Sequence, residues 1–276
     1  MIYIVAALHC EAKPVAGYYG LIKDSSLSRF EIYKNSDISL IISGTGMLKS
    51  AVASAYLFSS SPYKSDDIAV NFGICGSLNP DCAPGRSFLV NKVMTRTLSK
   101  TYYPDMLLMH GLPEASLETF PFPVVRSSAA GCLSDLVDME AAGFMEAATA
   151  FFPPHRIYCL KVVSDRLEGT RLAASWVSEL IKQNLPALDE IIKNAVNAAY
   201  AHNTVFSAEE ADLLDEICNN LKLTATMKHQ LKSFALQYKI RYRKDLKFLR
   251  DFLSVKSTIK GERKKYFEAI RNLLTS

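Results

Sequence analysis

The sequence predicts an α/β fold, a sheet covered by helices on both faces, followed by a small all-α C-terminal domain. Three observations carry this. Short β-branched runs alternate with Ala-rich segments of helical character through the first 200 residues. Some of those runs, such as residues 2–8, are apolar without interruption, as strands buried on both faces are. Beyond residue 200 the strand pattern stops and the charge turns positive. Residues 201–276 hold 15 Lys/Arg against 9 Asp/Glu, whereas the whole chain carries +4. The domains are therefore drawn at 1–200 and 201–276.

The elements follow in order. Residues 2–8 form the first strand. Phe30–Tyr33 alternates, and Ile38–Ile42 joins it across the turn residues Asn35-Ser36-Asp37. Gly46–Ser59 reads as a helix. Asp67–Phe72 is a strand running into Gly73 and Gly76, and Ser87–Asn91 is another after the turn Pro84-Gly85. Residues 95–135 resist assignment. Tyr102-Tyr103-Pro104-Asp105, Pro113 and Phe120-Pro-Phe-Pro123 form an aromatic, proline-rich stretch of the kind functional loops use. Met139–Phe152 is a helix stopped by Pro153-Pro154. Arg156–Val163 is a strand, and Leu172 to about Tyr200 a long helix interrupted near Pro186. In the tail, Ser207 and Glu210 have the spacing of a capping box. Recurrent apolar positions from Leu213 to Leu253 predict three or four amphipathic helices. Leu213, Leu221, Leu231 and Phe234 are candidates to cover an apolar face of the first domain.

Composition narrows the classes. With 49% hydrophobic and 22% charged residues the chain is ordinary globular protein. No apolar run reaches the ~20 residues of a membrane span. Met1–Leu8 lacks a basic leader and reads as a strand, so a cytoplasmic location without membrane contact is expected. The six cysteines form no CxxC pair and are expected to be reduced and mostly buried. Neither a metal site nor an organic cofactor is expected. Arg241–Arg250 interleaves basic and apolar residues, as an amphipathic helix with a solvated basic face does. A nucleic-acid or protein partner there is the lesser alternative.

The chemistry points to carboxylates at element ends. Glu11 follows the first strand. Val137-Asp138-Met139-Glu140 opens an Ala-rich helical pattern, and Val163-Ser164-Asp165 closes a strand pattern. Open α/β sheets build ligand crevices at such points. Read singly, Glu11 and Glu140 suit helix N-termini and Asp165 suits a helix cap. Read together, three carboxylates suit cleavage of a glycosidic bond: one protonates the leaving group, one activates water, one holds sugar hydroxyls.

Four segments in order carry a resemblance. They are Ile4–Glu11, Ser43-Gly-Thr-Gly46, Asn71-Phe-Gly-Ile-Cys-Gly76, and Asp138-Met139-Glu140 with Ser164-Asp165. Over roughly residues 1–195 the chain resembles the nucleoside phosphorylase/nucleosidase superfamily, closest in motifs to the methylthioadenosine/adenosylhomocysteine nucleosidases. The resemblance implies a mixed central sheet, a purine nucleoside substrate of the 5′-modified adenosine kind, release of the free base by water, and a homodimer or higher homo-oligomer. It implies that Glu11 activates water and that Asp165, oriented by Ser164, protonates purine N7. Glu140 would bind the ribose diol with Met139 beneath the ring. Ser43, Gly44, Gly46, Gly73, Cys75 and Gly76 would line the substrate, and Asp138 would be structural. Tyr102 and Tyr103 are candidates to stack on the base or to pack. The family's phosphorylases carry an arginine in a turn after the first strand; Cys10–Gly17 has none. Lys13, Lys49, Arg86 and Arg96 remain candidates for phosphate, so a phosphorylase is one alternative. A nucleoside-binding regulatory module without turnover is another.

Overall fold

The computed structural model describes residues 1–276 apart from 27–28, 61–63, 65, 130, 170–171, 204–205, 243, 256–259 and 276. Contacts divide it into two units, Met1–Ala199 and Tyr200–Ser276.

The first unit is built on a mixed sheet that includes ten strands among the described residues. In chain order its elements are β1 (Ile2–Ala6), α1 (His9–Tyr18), β2 (Ile22–Lys23), β3 (Glu31–Lys34), β4 (Ile38–Ile42) and α2 (Met47–Ser59). Next come β5 (Ile68–Gly76), β6 (Ser87–Thr95), β7 (Lys100–Tyr102), β8 (Glu114–Thr119), β9 (Leu136–Asp138) and α3 (Ala141–Phe151). β10 (Ile157–Asp165), α4 (Ala174–Gln183) and α5 (Leu185–Asn203) complete it.

β1 lies between β4 and β5 and is parallel to both, and β10 is parallel to β5. β2, β3 and β4 form an antiparallel edge. On the other side β10 pairs with β6, β6 with β8, β8 with β9, and β9 returns to β5 through Gly76 and Val137. The sheet thus curls into a closed ring of β5, β10, β6, β8 and β9, which protects those edges.

β1 is wholly buried, and its alternating side chains feed two cores. Tyr3 and Val5 join Phe58, Phe144 and Met145 from α2 and α3. Ile2, Ile4 and Ala6 join Val15, Leu180 and Ile191 from α1, α4 and α5. A strand apolar at every position is what a two-faced burial requires.

Several expectations shift at element boundaries. Val137 and Asp138 end a short strand, and the helix begins only at Ala141. The stretch 95–135 contains β7 and β8, the latter central in the ring. The interruption expected near Pro186 is present: the helix breaks at Asn184, and Pro186 stands near the start of the second piece, where a missing N–H is harmless.

The second unit comprises α6 (Ala208–Asn220), α7 (Ala225–Tyr242), a 3-10 turn at Lys247–Phe252 and α8 (Lys260–Thr275). The capping box at Ser207 and Glu210 is present. Leu213, Leu221 and Leu231 build a core of their own with Ile217, Leu246 and Ile270, and Phe234 packs against it. These residues form a hydrophobic centre within this unit. Segment 241–250 is not one helix: α7 stops at Tyr242, position 243 lies outside the described residues, and the 3-10 turn follows. Buried Glu210 accounts for the change, since its carboxylate takes both Lys239 and the amide of Leu246.

Among the described residues no helix is long and apolar enough to cross a membrane, and no cluster of His, Cys, Asp and Glu has metal-binding geometry. All six cysteines are free.

Candidate active site

Parallel register sets the site. Ala6 is level with Ile42, and Asp165 is level with Gly76. The chain segments that follow β1, β4, β5 and β10 therefore leave the sheet at one edge, which is where open α/β sheets hold ligands. A cleft of about 870 Å³ opens there. Glu11, Cys75, Gly76, Met139, Glu140, Ser164 and Asp165 all line it.

Glu11 stands in the first turn of α1 and is buried. Its Oε2 accepts the amides of Ala7 and Leu8 at 2.8 and 2.9 Å, and its Oε1 accepts that of Ile74 at 2.8 Å. Burial raises its pKa, opposed by the Ile74 amide and the charge of Lys161. Gly73 does not line the cleft but makes room for Glu11, because a β-carbon there would stand 2.7 Å from Oε1.

Glu140 stands at the residue before α3, and its Oε1 accepts the amide of Gly46 at 2.8 Å. Close helix packing permits this bond: a β-carbon at Gly143 would meet the Met47 carbonyl oxygen at 1.9 Å, so only glycine lets α2 and α3 approach. Burial, reinforced by the charge of Asp138, pushes the Glu140 pKa up to about 7.

Asp165 ends β10. Its Oδ1 accepts the Leu167 amide at 2.8 Å, and its Oδ2 lies 2.6 Å from the Ser164 hydroxyl. Ser164 Oγ is also 3.0 Å from the Cys75 carbonyl. One hydroxyl proton cannot serve both oxygens. When it goes to Cys75, Ser164 can still accept from a protonated Asp165, so the pair accommodates either protonation state of the acid.

The small-residue loop behaves differently from expectation. The amides of Ser43 and Gly44 bond to the carbonyls of Ala6 and Ala7, and that of Gly46 to Glu140. Ser43, Gly44 and Gly46 therefore hold the loop to β1 and α3, and only Thr45 reaches the cleft. Tyr102 and Tyr103 do not line it either; Tyr102 bonds to Glu146 on α3 and Tyr103 is exposed. Of the candidate phosphate ligands, Arg96 pairs with buried Glu118 at 2.8 Å and Arg86 lies over the Phe88 ring. Lys13 and Lys49 are exposed. None of the four lines the cleft.

Two features escaped the sequence reading. Pro123, Val124, Val125, Leu167, Leu172 and Val177 make an apolar wall. The proline-rich run at 120–123 was its only signal. Lys161 is buried within β10 and pairs with Asp138 at 2.9 Å. A lysine inside an otherwise apolar strand is a readable signal, because buried ammonium groups are tolerated only when paired.

No protein-family model matches the chain, and no curated protein matches it by sequence. Solved structures do. The 5′-methylthioadenosine/S-adenosylhomocysteine nucleosidase of Helicobacter pylori, in complex with butyl-thio-DADMe-Immucillin-A, aligns over 70% of this chain and 97% of its own, with TM-score 0.60 and 13% identity. The chain has the nucleoside phosphorylase/nucleosidase fold. Two further nucleosidase-fold structures agree. The futalosine hydrolase of the same bacterium aligns over 70% and 97%, with TM-score 0.59 and 14% identity. The S-adenosylhomocysteine nucleosidase of Streptococcus pyogenes, in complex with 5-methylthiotubericidin, aligns over 70% and 96%, with TM-score 0.59 and 18% identity. This chain thus shares its fold with these three structures at identities of 13–18%.

Proposed function

We propose that the protein hydrolyses the N-glycosidic bond of a purine nucleoside, of the 5′-modified adenosine kind, and releases the free base. The observation that carries this is the convergence of Glu11, Glu140 and Asp165 on one cleft at one edge of the sheet. The known activities of proteins sharing the fold point the same way.

Asp165 donates a proton to purine N7 as the C1′–N9 bond breaks and its electron pair passes to the base. Ser164 keeps contact with the acid before and after the transfer. The ribosyl group gains oxocarbenium character, which the surrounding carboxylates stabilise. Glu140 accepts hydrogen bonds from the 2′- and 3′-hydroxyls, with Met139 beside the sugar. Glu11 takes a proton from water as the oxygen bonds to C1′. Exchange with solvent then restores both carboxyl groups. The apolar wall from Pro123 to Val177 suits the base and an uncharged 5′-substituent.

Water is preferred to phosphate as nucleophile because, among the described residues, no Lys, Arg or His lines the cleft. A phosphate dianion would face carboxylates without a partner. The test is incubation with a panel of nucleosides, with and without inorganic phosphate, and chromatographic detection of free base and sugar. Equal base release in both, abolished by Glu11→Gln, is the expected result. Release only with phosphate, yielding ribose 1-phosphate, would make the protein a phosphorylase. Binding with no release would make it a regulatory module.

A further inference from the structure

Three carboxylates, Glu11, Asp138 and Glu140, line the cleft, and one buried ammonium, that of Lys161, pairs with the second of them. Glu11, Asp138 and Glu140 are each less than a tenth exposed, and Lys161 is 2% exposed. Lys161 is the cross-strand partner of Gly73, and Gly73 lies under the Glu11 carboxylate. Registered residues of paired strands project to the same face. Lys161 therefore rises beside Glu11, and its Nζ reaches Asp138 Oδ2 at 2.9 Å. Asp138 is locked in turn by the Thr119 hydroxyl at 2.7 Å and the Ala141 amide at 2.9 Å. It precedes Glu140 by two residues. Lys161 itself is not among the residues that line the cleft.

A lysine in such a place costs desolvation, and an apolar side chain of similar volume is often as stable or more so. Its charge is what an apolar residue cannot replace. With every group ionised, three negative charges face one positive charge.

We propose that Lys161 is a positioning residue, a sealed counter-ion that anchors Asp138 and keeps Glu140 and Glu11 ionised for their work in the cleft. The proposal rests on the nucleosidase reading only for what those carboxylates then do. Among the described residues, the charges that act on Glu140 are those of Asp138 on β9, Lys161 on β10 and Glu11 on α1, and Asp165, Cys10 and Cys75 line the same cleft. The turn before α2 adds the Gly46 amide, and Lys49 beyond it is exposed. Lys161 lowers the pKa of both glutamates, against burial, while Asp138 raises that of Glu140.

The test needs no substrate. The full chain is labelled with ¹³C at glutamate side-chain carboxyls, and the signals of Glu11 and Glu140 are assigned with Glu11→Gln and Glu140→Gln. In Lys161→Met both carboxyls should titrate ~1 pH unit or more higher than in the wild type. Lys161→Arg should stay near the wild type, and in Asp138→Asn Glu140 should titrate lower. Unchanged midpoints in a folded Lys161→Met protein overturn the proposal. If that variant does not fold, Lys161→Gln decides: a higher Glu140 midpoint supports the proposal, and an unchanged or lower one overturns it. Failure of the nucleosidase reading leaves this titration intact. In an active enzyme the acidic limb of kcat/KM moves in the same directions. A merely structural lysine would lower kcat/KM at every pH and leave the limb in place.

Discussion

The Glu11 carboxylate occupies the space that a side chain at Gly73 would need. A β-carbon at 73 would lie 2.7 Å from Oε1 and 3.1 Å from the carboxyl carbon. Three backbone amides hold that carboxylate, so it has little freedom to yield. Gly73→Ala is therefore expected to displace Glu11 and lower base release by ~10²-fold or more. The cost in stability should be the ~1–3 kcal/mol typical of overpacking. Steady-state rates together with thermal melting check this. A well-folded Gly73→Ala protein with wild-type rates would detach Glu11 from the reaction.

Asp165→Asn retains an oxygen for the Leu167 amide, so the fold should survive. The acid is lost, and base release should fall by ~10²-fold or more. Ser164→Ala removes only the contact that serves Asp165 and Cys75, and its effect should be smaller. Rates on one nucleoside for both variants, with circular dichroism as the control, settle the order. A larger loss in Ser164→Ala would transfer the main role to the serine.

Glu140 links recognition to pH. Its carboxyl has a pKa of about 7 in the fold, set by burial and then by Asp138, against ~4.3 in an unfolded chain. Between those values the folded protein holds a proton that the unfolded chain releases. The stability contribution is complete below the lower value and is lost as pH rises towards the upper one. Burial of Glu11 acts in the same direction. Stability should therefore fall from pH 5 to pH 7, at up to ~1.4 kcal/mol per pH unit from Glu140, and the melting temperature should fall with it. Glu140→Gln should flatten the slope. Glu140→Ala should weaken ribosides by ~1–3 kcal/mol relative to 2′,3′-dideoxy analogues. Equal losses on both would place Glu140 away from the diol.

The second unit carries a hydrophobic core of its own, around Leu214, Ile217, Leu221, Leu231 and Ile270. All the residues of the proposed chemistry precede residue 166. A chain ending at residue 203 keeps the whole of α5 and should fold, remain in solution and cleave nucleosides. Sedimentation and base-release assays check this. A folded but inactive truncation would show that the tail contributes to the site.

Much of this protein is legible in its sequence. The strand and helix alternation, the all-helical tail and the capping box at Ser207 follow from local periodicity and side-chain chemistry. The three carboxylates are legible because each stands where an apolar run ends. The resemblance of four ordered segments then supplies their roles. Where local patterns mislead, a partner distant in sequence intervenes. Val137 and Asp138 look helical beside Ala141 and Ala142, but pairing with β5 and β8 makes them a strand.

Tertiary structure alone decided the rest. Sequence spacing cannot say that Ser43 and Gly44 spend their amides on β1, or that Gly46 spends its own on Glu140, 94 residues away. It cannot say that Gly73 is small because Glu11 lies above it, or that Lys161 reaches Asp138. These are contacts between segments far apart in the chain, fixed by strand register and helix packing. The sequence by itself determined which residues are chemically able to act. The closed, parallel-edged sheet decided which of them meet, because only register brings the ends of β1, β5 and β10 to one place.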